Sequence, residues 1–299
     1  MNINPEILKI SDNIIQIRRD FHKYPELSFQ EKRTSKIVAE KLGSWGIEVK
    51  RNVGKTGVVG FLKGENKGPT IALRADMDAL PIQETSNIPY KSVNDGVMHA
   101  CGHDAHISIL LGAAKVLSKM KKNIHGEVRF IFQPAEEGFG GARYMIEDGA
   151  IDGVDEIYGL HVWNYQQSGT IGLKSGSVMA AADKFTIKIS GKGGHGAAPQ
   201  GTIDAIIIAS NLIQNLQTIV SRNTNPLDST VITIGKINGG YNFNIIADEV
   251  ILKGTTRAYT EENRSLIQSR MEKIINGTEK MFGAKIDLNY EAGYPPVIN

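Results

Sequence analysis

Apolar positions recur along this chain with two periods. Between residues 5 and 22, Ile7, Ile10, Ile14, Ile15 and Ile17 fall at helical spacing, and Pro25 forces a break after them. Residues 30–45 repeat the helical pattern and stop at Gly46. Three short runs, 47–53, 57–62 and 70–74, predict strands. A helix over 105–119 follows, then a strand over 127–132 that reads as buried, then a short helix near 141–148. A strand over 156–160 ends at His161. Strands alternating with helices predict an α/β fold whose sheet is mixed and largely parallel.

After Gly176 the pattern changes. Phe185, Ile187 and Ile189 alternate with polar residues, which predicts a half-exposed strand. A helix over 203–220, strands over 230–237 and 249–256, a helix over 261–282 and a strand over 284–290 complete the order β-α-β-β-α-β. That order is the ferredoxin-like arrangement. A length of 299 residues suits two domains. We place them at 1–180 and 181–293, the second inserted into the first, with 294–299 beginning a return.

Charge adds little. The net charge is +2, and basic and acidic residues are interspersed, so no footprint for nucleic acid stands out. The run over 203–220 is broken by Asp204, Ser210, Asn211, Gln214, Asn215 and Gln217. It is amphipathic, and no run reaches the roughly 20 apolar residues of a membrane span. One cysteine cannot form an internal disulfide, and residues 1–10 lack the basic and apolar regions of a leader. A cytoplasmic, membrane-free protein is the expectation.

The chemistry gathers at predicted strand ends. His99-Ala100-Cys101-Gly102-His103-Asp104 enters a helix, and a thiolate and an imidazole two residues apart can reach one metal or bridge two. Asp76 and Asp78 share a face after one strand; one could ligate metal or orient a ligating imidazole. Glu136 and Glu137 are adjacent and suit two roles, one as a ligand and one as general base. His161 follows another strand. Taken singly, each has a bland reading: adjacent glutamates are usually a solvated loop, and a lone histidine after a strand is usually structural. Four segments that deliver metal-competent groups to one sheet edge outweigh those readings. His106, on the helix bearing the site, could be a ligand, with a structural role preferred, and His22 and His125 have no evident partner. In the second domain, His195 sits among glycines on a loop that can present it to a reacting carbonyl. Arg257 can clamp a carboxylate, and Asn244 can add a polar contact.

Together these stretches resemble the M20 metallopeptidase family, in its amidohydrolase branch. The motifs His-Ala-Cys-Gly-His-Asp and Gln-Pro-Ala-Glu-Glu carry the resemblance, supported by Phe21, Pro25 and Glu26 and by the loops at His161, His195 and Asn244. The resemblance implies two divalent ions (Mn, Zn, Ni or Co) held by Cys101, His103, Glu137 and His161. It implies Glu136 as the base that activates water, and Asp78 as an acid behind the ligands. It implies a homodimer formed through a lid domain, with His195 and Asn244 reaching the partner's site and Arg257 holding the substrate carboxylate. The expected reaction is hydrolysis of the amide bond of N-acyl amino acids or related small amides. N-acetyldiaminopimelate deacetylase and dipeptidase activities are the neighbouring alternatives. A catalytically silent fragment that dimerises or binds metal is the alternative of another class. Two departures are notable: Asp76 stands where the wider family has a ligating histidine, and the family's further segment after the lid, with one more histidine ligand, is expected to be missing.

Overall fold

The computed structural model describes residues 5–138 and 140–299. It divides into two compact units, Met1–Ser168 and Gly169–Asn299.

The first unit opens with α1 (Pro5–Leu8) and α2 (Ser11–Lys23). The expected single helix over 5–22 is therefore broken before Ser11. Only some of its isoleucines face the core: Ile10, Ile14, Ile17 and Phe21, at steps of three and four, pack inward, while Ile7 and Ile15 are exposed. After α3 (Lys32–Ser44) come β1 (Glu48–Val53), β2 (Gly57–Lys63) and β3 (Asn66–Asp76). Then follow α4 (His103–Leu117), β4 (His125–Gln133), α5 (Gly141–Glu147) and β5 (Glu156–Gly159).

The sheet order is β1-β2-β4-β3-β5. β3 runs parallel to β4 and β5, but β1–β2 and β2–β4 are antiparallel. The sheet is mixed as expected but not largely parallel. The turn between Val53 and Gly57 is too short for the crossover that parallel neighbours require. Phe130 and Phe132 of β4 pack on one face with Leu42, Val58, Ile107 and Leu111, while Ile131 points to the other, against Val59, Ala72 and Met145. Apolar cover on both faces explains why β4 reads as a continuous apolar run.

The second unit contains β6 (Ser177–Met179), β7 (Ala181–Ser190), β8 (Gly194–His195), α6 (Ala205–Thr218) and β9 (Thr230–Gly239). It continues with β10 (Ile245–Ile246), β11 (Glu249–Ala258), α7 (Glu261–Phe282), β12 (Lys285–Tyr294) and β13 (Val297–Ile298). A four-stranded sheet of order β12-β7-β11-β9 has every pairing antiparallel. Phe185, Ile187 and Ile189 turn inward to meet Leu212 and Leu216 of α6 and Ile267 and Met271 of α7. Asp204 caps α6 by accepting from Ile206 N and Ile207 N at 2.9 and 3.2 Å, which starts that helix later than its apolar run. Among the described residues, no helix is long and apolar enough to cross a membrane.

Candidate metal centre

β3 and β4 run side by side in parallel, and Asp76 pairs with Gln133 at their carboxyl ends. The segments that leave them, 76–78 and 133–137, are therefore neighbours by construction. Ala135 turns the chain with φ +48°. The N–H groups of residues 135, 136 and 137 are then accepted by two carboxylates. Glu31 Oε1 takes Ala135 N at 2.9 Å, Asp78 Oδ1 takes Glu136 N at 2.9 Å, and Asp78 Oδ2 takes Glu137 N at 3.0 Å. Ser28 Oγ also donates to Asp78 Oδ2 at 2.7 Å. Burial opposes the charge on Asp78, but His103, Ser28 and these N–H groups outweigh it and hold the carboxyl below its usual range.

Gly102, at φ +90°, leads into α4 and sets Cys101 and His103 on either side of itself. His103 is buried, and its Nδ1 lies 3.4 Å from Asp78 Oδ1. Its Nε2 lies 3.7 Å from Asp76 Oδ2 and 3.8 Å from Glu137 Oε1. Cys101 Sγ lies 3.3 Å from His161 Nε2. Among the described residues, donor atoms within 4.8 Å of one another form three groups: Cys101, His103 and His161; His103, Glu136 and Glu137; and Asp76, His103 and His106.

This arrangement fits divalent metal. Both ring nitrogens of His103 and Oε1 of Glu137 are buried without a hydrogen-bond partner, a costly state that coordination would relieve. The surroundings also favour a cation. Burial alone would lower His103, yet Asp78, Cys101 and Asp76 push it up to about 11. Burial, with Glu137 and Asp76 beside it, raises Glu136. A thiol, imidazoles and carboxylates together suit a borderline-soft transition ion such as zinc.

Other residues fall into place around the donors. His106 donates from Nδ1 to Asp76 Oδ1 at 2.6 Å and accepts Val162 N–H at Nε2 at 2.9 Å, so both its ring nitrogens are engaged within the protein. Arg74 Nη1 donates to Asp76 Oδ2 at 2.7 Å. His22 corrects the sequence reading, which found it no partner. It is buried and donates to Asp104 Oδ2 at 2.8 Å and Glu84 Oε1 at 3.3 Å. The Asp104 bond raises its pKa despite burial. The one sequence signal was the placing of Arg18 and His22 one turn apart, since Arg18 also donates to Asp104, at 2.7 Å. His99 is buried with neither ring nitrogen bonded, and burial pushes it down to about 4. Glu31 was missed entirely.

In the second unit, His195 and Asn244 line one shallow groove with Gly193, Tyr241 and Asp248. His195 faces Ile245 across the β8–β10 pair, and Gly196 N donates to Asn244 O at 2.8 Å. Arg257 lies at the far end of β11, paired with Ala182, whereas Glu249 at the near end pairs with Ser190. Eight residues of strand, roughly 27 Å at about 3.4 Å each, separate those ends. Within one unit, Arg257 and the His195 groove therefore do not meet. Arg257 donates to Thr255 Oγ1 and, at 2.9 Å, to Thr256 O.

Strand ends that carry a thiol, imidazoles and paired carboxylates over a mixed sheet define a metallohydrolase. The chain belongs to peptidase family M20/M25/M40, whose family model matches residues 72–299. It is 46% identical over 293 residues to an N-acyl-L-amino acid amidohydrolase of Geobacillus stearothermophilus, covering 97% of this chain and 79% of that protein. It is 46% identical over 301 residues to the hippurate hydrolase of Campylobacter jejuni, covering 100% of this chain and 78% of the relative. Among solved structures it matches a dinuclear metal-binding peptidase of the M20 family from Bacillus subtilis, with a TM-score of 0.84 and 38% identity over 98% of this chain and 76% of that one. These relatives occupy the amidohydrolase branch that the motifs indicated, and this chain is a metal-dependent hydrolase of that kind.

Proposed function

We propose that the chain hydrolyses the amide bond of N-acyl amino acids or related small amides, using two divalent ions drawn from Mn, Zn, Ni or Co. The observation that carries this is His103, buried with neither ring nitrogen hydrogen-bonded, between Cys101 and His161 on one side and Glu136 and Glu137 on the other. Cys101, His103, Glu137 and His161 would hold the ions, which supply Lewis-acid polarisation of the carbonyl and acidify water. Glu136 accepts the proton of the attacking water and passes it to the leaving amine. Burial, with Glu137 and Asp76 beside it, raises its pKa, the direction that favours a carboxylate taking up and releasing a proton. Asp78 orients His103 and the Glu136–Glu137 backbone.

The region 1–180 forms the catalytic domain, and 181–293 a ferredoxin-like lid that also dimerises. The order β7-α6-β9-β11-α7-β12 with an antiparallel sheet supports the ferredoxin-like reading. Exposed Ile206 and Ile207 on α6 and Val231 and Ile237 on β9 support an interface between copies. In the homodimer, His195 and Asn244 of one protomer serve its partner's centre, and Arg257 holds the substrate carboxylate. A reducing, cytoplasmic setting agrees with a lone cysteine used as a ligand.

The test is hydrolysis of a panel of N-acyl amino acids by the purified chain loaded with each metal, with a chelator control. Release of free amino acid that the chelator abolishes is the expected result. No turnover in a folded, metal-loaded sample would overturn the proposal in favour of a silent metal-binding protein.

A further inference from the structure

His161 stands on the loop after β5, a four-residue edge strand whose residues are all exposed. The sheet alone gives that loop little hold. Two contacts at Val162 supply it. Val162 N–H donates to His106 Nε2 at 2.9 Å. The Val162 side chain also presses on Gly102, where an added Cβ would come within 2.5 Å of Val162 Cγ2. The Val162 carbonyl then accepts Nδ1–H of His161 at 2.6 Å, which leaves the His161 Nε2 lone pair facing Cys101 Sγ.

The accepting role of His106 is fixed from behind. Its Nδ1–H is committed to Asp76 Oδ1 at 2.6 Å, so Nε2 carries the lone pair. The other oxygen of Asp76 is committed to Arg74 at 2.7 Å. Asp76 and His106 are both buried. Although their atoms lie within reach of an ion at His103, each polar atom already has a strong partner. Orientation, not ligation, is the role this geometry allows.

We propose that Asp76 and His106 are positioning residues. They clip Val162 to the first turn of α4 and so orient His161 toward Cys101 and His103. The inference rests on the reading of His161 as a metal ligand. Partners behind a ligating histidine are typically worth 10–100-fold in metal affinity. Here the partner acts through a backbone group of the next residue.

The experiment measures zinc affinity of the full chain by competition with a chromophoric chelator, alongside thermal unfolding of the metal-stripped protein. His106→Leu should weaken zinc binding about 10–100-fold. His106→Gln, whose amide can donate to Asp76 and accept Val162 N–H, should restore most of it. Asp76→Asn should fall between wild type and His106→Leu. A purely structural role would lower the unfolding temperature of the stripped protein and leave zinc affinity alone. Wild-type affinity in folded His106→Leu, or in Asp76→Asn should the former not fold, overturns the clip. So does a folded His106→Gln that binds as weakly as His106→Leu. His161→Ala separates the two ideas: if it binds zinc as wild type does, the ligand reading itself fails, and the clip with it.

Discussion

Glu31 offers a sharp test of how the Glu136–Glu137 turn is held. It is fully buried. Oε1 accepts Phe29 N at 3.0 Å and Ala135 N at 2.9 Å, and Oε2 accepts Thr56 Oγ1 at 2.5 Å. Glu31→Ala orphans the Ala135 N–H, which is buried and worth about 1–3 kcal/mol when left unmet. Phe29 N–H and the Thr56 hydroxyl are half-buried and recover part of their loss from water. A total of about 2–4 kcal/mol of destabilisation follows. Glu31→Gln behaves differently. Its oxygen can accept both N–H groups while its amide donates to Thr56, and it carries no charge. Burial raises the Glu31 carboxyl pKa against the lowering pull of these hydrogen bonds. A raised folded pKa gives a contribution that is complete below the unfolded value and is lost as pH rises through the folded one. Glu31→Gln should therefore match wild type within about 1 kcal/mol at pH 7, and gain on it as pH rises. Urea unfolding at about pH 5, 7 and 8 reads both effects. A Gln variant as damaged as the Ala variant, or a Gln advantage that grows as pH falls, refutes the reasoning.

Three further outcomes are expected. Glu136→Gln should lower kcat by about 10²–10⁴ with metal content, measured by plasma mass spectrometry, unchanged; wild-type turnover would remove Glu136 as the base. Arg257→Ala should raise KM roughly 10–100-fold for substrates with a free carboxylate, the value of a charge-assisted bond. An equal rise for the corresponding methyl esters would argue against a clamp. Stripping the metal should lower stability by about 2.7 kcal/mol relative to protein held at a hundred times Kd. An unfolding temperature that ignores the chelator would mean that no folded-state metal site exists.

What the sequence made legible divides along a physical line. Signals carried within one element were readable. The helix α7 (Glu261–Phe282) lies at the residues where it was expected; in the structure Thr260 caps its start and Gly283 adopts φ +68° at its end. The chemistry-bearing residues were also readable as types: Cys101, His103, Glu136, Glu137 and His161 announce themselves by donor atoms and by their place after strands. Strand direction was not. Whether β4 lies beside β2 or β5 depends on packing that no local pattern encodes. Partners far apart in the chain were equally hidden. Glu31 meets Ala135 across 104 positions, and His22 meets Asp104 across 82. A buried carboxylate that accepts backbone N–H groups has no spacing rule, so nothing in the sequence singled Glu31 out.

The turn at Ala135 shows why such remote carboxylates are needed. β4 ends at Gln133, opposite the last residue of β3. Beyond that point, among the described residues, no strand pairs with residues 135 to 137, and their N–H groups turn to side chains where Ala135 takes a positive φ. Carboxylates meet this demand well, because an anion attracts several N–H dipoles at once. Asp78 does so while its Oδ1 also lies 3.4 Å from His103 Nδ1. One buried charge thus fixes the backbone of two adjacent glutamates and faces a donor histidine. Glu136 and Glu137 cannot be repositioned independently of His103. That coupling gives a physical reason for two carboxylates with different proposed tasks to sit on consecutive residues.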